Sequence, residues 1–187
     1  MVSQFVSPDP VRLLSDLAFD FPEGTHAIGR LDNHSEGLLI LTTNKNITRL
    51  LFQGTKAHTR RYLVLVKNNV TEETLTLLRN GIVLKTTGGA DYLSKPYHIE
   101  RIEQATSVYP YAIDEREAFP HTWLLISLTE GKFHQVRKMV FAVGHRCLRL
   151  IRISIEELTL EGLEPGGVKE LDEDDFFTLT GIRHPDK

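Results

Sequence analysis

Gly29-Arg30-Leu31-Asp32-Asn33-His34-Ser35-Glu36-Gly37-Leu38-Leu39-Ile40-Leu41-Thr42 puts two carboxylates, an arginine and two glycines into one turn, then runs into an apolar strand. A carboxylate in a glycine-bounded turn at the edge of a buried strand is a firm way to present a nucleophile or base. Turn chemistry offers a plainer reading, in which Asp32 and Ser35 bond their own backbone. The flanking chain decides between them.

On either side of the turn, residues 26–28 read as a short entering strand and residues 38–41 as a buried one. Ser7-Pro8-Asp9-Pro10 predicts a helix capped by Asp9 and continuing to Phe19. Asn44 caps a short helix over residues 45–52, with Gly54 as its stop. Residues 60–67 are β-branched and aromatic enough for a strand, with Arg60, Tyr62, Val64 and Val66 on one face. Thr71-Glu72-Glu73 opens a helix lined by Leu75, Leu77 and Leu78 and stopped at Gly81. Strands follow over residues 82–85 and 95–102, an irregular connection over 104–120, and a strand over 121–128. Val136, Met139, Val140 and Val143 then keep helical spacing up to Gly144. Residues 147–160 read as a long strand or strand pair, and Asp172 to Asp175 start a last short helix. Strands spaced this closely do not form a βα repeat, and no glycine-rich phosphate loop is present. The expectation is an α+β fold: a largely antiparallel mixed sheet flanked by helices, in one domain (1–187) with two lobes around a central cleft.

The composition, 41% hydrophobic and 25% charged over 187 residues, is that of a globular chain with a usable core. No apolar run approaches the roughly 20 residues of a membrane span. Net charge is −3, but its distribution is lopsided. Lys132, Arg137, Lys138, Arg146, Arg149 and Arg152 come with no acid among them, and Lys56, His58, Arg60 and Arg61 form a second knot. Acids collect in the tail from Glu156 to Asp175. A basic and an acidic face on one molecule suit a polyanion bound on one side. The lone Cys147 lies in an apolar run and reads as a buried, inert thiol in a reducing compartment. The start of the chain shows no basic-then-apolar leader, so the expected location is cytoplasmic.

Three segments each set a reactive group on a firm element: Asp32 in its turn, Tyr62 on its strand, and Arg137 in the helix after Glu130-Gly131-Lys132-Phe133-His134-Gln135-Val136. A half-buried aspartate needs a cation to stay ionised, and arginine can grip a carboxylate with two bonds. Tyrosine can stack on a flat ring and offer a hydroxyl to a carbon being deprotonated. Gly29-Arg30-Leu31-Asp32 with Ser35-Glu36-Gly37-Leu38-Leu39-Ile40-Leu41-Thr42 resembles the signature of the RsuA/RluB/RluE/RluF family of RNA pseudouridine synthases. Arg60-Arg61-Tyr62 resembles that family's basic-x-Tyr strand, with arginine in place of the usual lysine. Residues 130–139, followed by Val143-Gly144-His145 and Leu148-Arg149-Leu150-Ile151-Arg152, resemble its third block. The likeness runs from about residue 26 to residue 155.

Two features depart from the family pattern. The Lys-Pro-x-Gly segment usual before the equivalent of Val2-Ser3-Gln4 is absent, so a truncated N-terminal edge is expected, and no S4-type domain precedes the core. That absence, with the Pro120-His121-Thr122-Trp123 run, is most similar to the RluE-like subfamily acting on large-subunit ribosomal RNA. The resemblance implies that a uridine of ribosomal RNA is flipped out of its stack and isomerised to pseudouridine by a monomer, without metal or cofactor. Asp32 would act at the ribose C1′, at uracil C6 or by deprotonating C2′, with Tyr62 near the C5 proton and Arg137 holding Asp32 ionised. Arg30, Lys56, Arg60, Lys132, Arg149 and Arg152 are expected at RNA phosphates. Leu150 reads as pocket wall or core packing. His26, His34, His121, His134 and His145 lack metal-site spacing and read as solvated or structural. Other readings remain open at this point: small-subunit RNA as substrate, a non-catalytic RNA-binding relative, and a two-carboxylate glycosidase using Asp32 and Glu36.

Overall fold

In chain order the strands of the computed structural model are β1 (His26–Ile28), β2 (Glu36–Gly37), β3 (Ile40–Thr42), β4 (Arg60–Lys67), β5 (Ile82–Lys85), β6 (Asp91–Ser94), β7 (His98–Ile102), β8 (His121–Leu128), β9 (Cys147–Ile155) and β10 (Leu158–Thr159). The helices are α1 (Ile47–Phe52), α2 (Glu72–Asn80), α3 (Gln135–Ala142) and α4 (Glu173–Thr180). Residues 1–52, 56–113 and 119–183 are described; Gly54 and residues 114–118 of the irregular connection lie outside them.

The main sheet runs β10-β9-β4-β8-β7 with every pairing antiparallel, and β2 adds a short parallel bridge to β9. Two hairpin-like pairs, β1–β3 and β5–β6, stand beside it. The sheet is therefore mixed but largely antiparallel, with helices against it. Alternation along β4 splits the core: Leu63 and Leu65 belong to one apolar cluster with Ile151, Ile155 and Trp123. Val64 and Val66 belong to another with Leu75, Leu78, Met139, Val140 and Leu150, against which Tyr62 packs. Helix α2 begins with Thr71 Oγ1 accepting from Thr74 N at 3.3 Å and ends at Gly81, whose φ of +97° suits glycine. Leu77 faces outward and is exposed, so the inner face of α2 rests on Leu75 and Leu78. Among the described residues, no helix is long and apolar enough to cross a membrane.

The N-terminal segment departs from expectation. Only a single 3-10 turn, Leu14–Asp16, forms where a helix from Pro10 to Phe19 was predicted. Val2 N donates to Arg12 O and Leu14 N to Gln4 O, both at 2.9 Å, so this stretch pairs with the first residues as an extended chain. Backbone groups committed in that way are lost to i→i−4 bonding. Of the two readings of residues 147–160, the strand pair is the one that forms: β9 and β10 pair across a turn at Glu156, whose φ is +49°.

Candidate active site

Asp32 lies in the β1–β2 connection, closed by Ser35 N donating to Asp32 O at 2.9 Å. Gly37 then passes so close to β9 that a Cβ there would overlap the Arg152 carbonyl and approach the Arg152 nitrogen to 2.6 Å, and its φ is +111°. Only glycine permits that approach. Leu38 N donates to Arg152 O and Arg152 Nε to Leu38 O, each at 2.8 Å, which fastens the acidic turn to the middle of the sheet. The Asp32 side chain keeps 32% of its surface exposed, enough for a ligand to reach it. The turn borders an open groove of about 1130 Å³ that runs on beneath residues 157–171.

Helix α3 braces this turn from the other side. Arg137 Nη2 donates to His34 O at 2.6 Å and to Ser35 Oγ at 3.2 Å. The expectation that Arg137 grips the Asp32 carboxylate therefore needs correcting: it grips the turn that carries it. His34 takes a left-handed conformation (φ +65°), and its carbonyl accepts the guanidinium before the carboxylate can. The ring that faces the Asp32 carboxylate is that of His134, with Nε2 at 4.0 Å from Oδ1. His134 is itself left-handed (φ +53°), immediately before α3. Non-glycine residues held in this region cost about 1 kcal/mol or more each and gather at functional sites.

A second guanidinium lies beneath. Tyr62 on β4 is in register with Arg152 on β9, beside a register shift between Arg61 and Tyr62. Bulges of this kind re-aim side chains next to active sites. Arg152 is 5% exposed. Burial pushes its guanidinium below the usual arginine range, opposed by Tyr62 and Asp32 and assisted by Arg60. Arg152 Nη2 and Arg137 Nε are buried with no hydrogen-bond partner among the described residues. An unmade bond of this kind costs about 1–3 kcal/mol, which makes both N–H groups unspent donors around Asp32 and Tyr62.

The six cations expected at phosphates divide. Arg30 and Lys132 are exposed; Lys56 is exposed too, though its Nζ reaches Gly181 O at the end of α4, at 3.4 Å. The other three are corrected. Arg60 is buried and donates to His58 O at 3.2 Å. Arg149 makes two bonds to Glu36, at 2.5 and 2.9 Å, and a third to Ile113 O at 2.9 Å. Arg152 is buried, gives its Nε to Leu38 O and lies beside Tyr62. The reason is topological: β4, which carries Arg60, lies between β8 and β9, and β9, which carries Arg149 and Arg152, is paired with β4 on one side and with β10 and β2 on the other, so these arginines lie against protein. The Arg149–Glu36 pair ties the acidic turn to β9 through Glu36.

Sequence reading missed several groups. His134 has no ligand spacing in the sequence, and its place next to Asp32 exists only in three dimensions. Gln135 holds the loop before α3 by accepting from Lys132 N at 2.9 Å and donating to Ser94 Oγ at 2.7 Å and Glu130 Oε1 at 2.5 Å. Leu150 is core packing. Burial pushes the Cys147 thiol up, only partly opposed by Arg137, as suits an inert thiol. Among the described residues no cluster of three His, Cys, Asp or Glu is placed to hold a metal.

The turn carrying Asp32, the α3 arginine that clamps it and the buried Arg152 beside Tyr62 make up the candidate site. Residues 8–142 match the family described as RNA pseudouridylate synthase, and the chain belongs to that family: it is an RNA pseudouridine synthase, an isomerase. A Ribosomal large subunit pseudouridine synthase E from Vibrio vulnificus is 37% identical over 172 residues, covering 91% of this chain and 70% of that one. Its namesake from Xanthomonas campestris is 34% identical over 170 residues, covering 89% and 87%. A crystal structure of a pseudouridylate synthase superposes with a TM-score of 0.71 at 25% identity, covering 95% of this chain and 68% of that one.

Proposed function

We propose that this chain, acting as a monomer in the cytoplasm, converts a uridine of large-subunit ribosomal RNA to pseudouridine with Asp32 as the reacting group and no cofactor. The substrate follows from the relatives' names, and the roles follow from the site. The C1′–N1 bond breaks, uracil turns, C1′ bonds to C5, the C5 proton leaves, and N1 takes up a proton. Every atom of the product comes from the uridine and water. Asp32 meets the sugar or the base at the start of that sequence. Arg137 acts through the turn it clamps, Tyr62 faces the ring, and Arg152 beneath keeps the floor of the site positive while Asp32 is negative. Arg30, Lys56 and Lys132 are the cations left to meet phosphates, adding affinity and little sequence choice.

The observation that carries this reading is a part-exposed aspartate in a turn clamped by Arg137, with the buried Arg152 close enough to feel its charge; each guanidinium keeps a buried N–H without a partner among the described residues. Such donors are positioned for charge that develops only when substrate is bound. The test is Asp32→Asn with transcribed 23S and 16S RNA. Pseudouridine should form on 23S RNA with the unaltered protein, and none with the variant, while RNA binding persists. Activity surviving in the variant refutes the role of Asp32. Product on 16S RNA alone moves the substrate to the small subunit, and release of free uracil converts the assignment to a hydrolase.

A further inference from the structure

The approach to α3 carries an aromatic ring that the isomerisation does not use. Phe133 is 58% exposed, yet it is not loose. Its ring lies flat on that of His134, with centroids 3.9 Å apart and planes within 15°. His134 in turn places Nε2 4.0 Å from Asp32 Oδ1, so Phe133 stands one imidazole away from the reacting carboxylate. The left-handed backbone at His134 sets the pair, and the bonds from Gln135 to Lys132 N, Ser94 and Glu130 hold the loop beneath it.

We propose that the Phe133–His134 stack is a platform for a base of the RNA next to the uridine taken by Asp32, an inference that rests on the isomerase reading. The occupant follows from the surroundings. An apolar protein partner needs contiguous apolar surface, but the side chains placed against this ring are those of His134 and Lys138, and Lys132 precedes it in the chain. Lys132 Nζ lies 4.1 Å from the centroid of Tyr92, and Lys138 Nζ lies 5.4 Å from that of Phe133. Aromatic rings interleaved with lysines are what a single-stranded segment requires: faces for bases and flexible cations that phosphates can draw toward them. The task is also specific to this reaction. Flipping out a uridine leaves its neighbour without a stacking partner, and a flat ring beside the acid supplies one. Because every base has a π-face, the platform holds the strand without choosing its sequence.

The test compares fluorescence anisotropy on two end-labelled probes of about 12 units, oligo(U) and a stabilised abasic ribose phosphate chain of equal charge. Phe133→Leu keeps an apolar side chain without a π-face, and Phe133→Trp enlarges the face. For Phe133→Leu we expect binding to oligo(U) to weaken roughly five- to tenfold with binding to the abasic chain unchanged, and for Phe133→Trp oligo(U) binding at or above the original level. Equal weakening on both probes, or no weakening on either, overturns the platform. Pseudouridine formation by the unaltered protein on ribosomal RNA reads the isomerase assignment separately. Its absence with the probe difference intact sinks that assignment and keeps Phe133 as a base-binding residue.

Discussion

Arg137→Met separates bracing from bulk stability. The guanidinium supplies a 2.6 Å bond to His34 O and a 3.2 Å bond to Ser35 Oγ, and the substitution removes both while keeping a long apolar stem. A hydrogen bond from a charged donor is worth about 1.5–3 kcal/mol net. His34 is exposed and Ser35 half-buried, so water recovers part of that when the donor goes. A global loss of about 1 kcal/mol remains, or a fall in Tm of roughly 2–4 °C for a domain of this size. The local effect is larger. Among the described residues Arg137 is the side chain that holds the left-handed His34 through its carbonyl, and a turn free to relax by about 1 Å costs on the order of a hundredfold in rate. Single-turnover pseudouridine formation should therefore drop by about two orders of magnitude while the melting curve barely moves. Ser35→Ala, which removes only the longer bond, should show a much smaller rate loss. Unaltered turnover in Arg137→Met, or a collapse in Tm that accounts for the lost rate, refutes the bracing argument.

Gly37→Ala forces a Cβ into the backbone of Arg152 at a φ of +111°. The conformational strain and the loss of the two Leu38–Arg152 bonds together cost about 3–5 kcal/mol, so Tm should fall by roughly 6–20 °C with activity abolished; a melt within 2 °C of the original contradicts the close approach. Burial pushes the His58 imidazole below its ordinary value, opposed by Glu156, which accepts from His58 Nδ1 at 3.1 Å and from Thr59 N at 2.9 Å. The unfolded chain then takes the proton more readily than the folded one, so stability is full above about pH 6.5 and falls as the pH drops through the lower folded value. Chemical denaturation between pH 7 and pH 5 should show that loss in the original protein and a shallower one in His58→Gln; parallel slopes refute it.

Much of this molecule is legible from spacing alone. The eight residues of β4, the eight of β8, helix α2 with its Thr71 cap, and α3 on Val136, Met139 and Val140 all form where local pattern places them. Local pattern is reliable there because a period of 2 or 3.6 and a capping hydroxyl act over a few residues. The segment 10–19 shows the limit, since helical spacing lost to pairing with Val2 and Gln4. Three motifs in correct order named the family and put Asp32, Tyr62 and Arg137 on the page, but said nothing of what each touches. That Arg137 holds a carbonyl, that His134 faces the acid, and that Arg60, Arg149 and Arg152 turn inward are all outcomes of assembly. The contacts of Arg137, His134, Arg149 and Arg152 with the segment 32–38 each join positions more than 100 apart in the chain. Whether an arginine meets water or protein is decided by what lies against its strand, and β9, alternating arginine with leucine as an exposed strand would, is paired with β4 on one side and with β10 and β2 on the other.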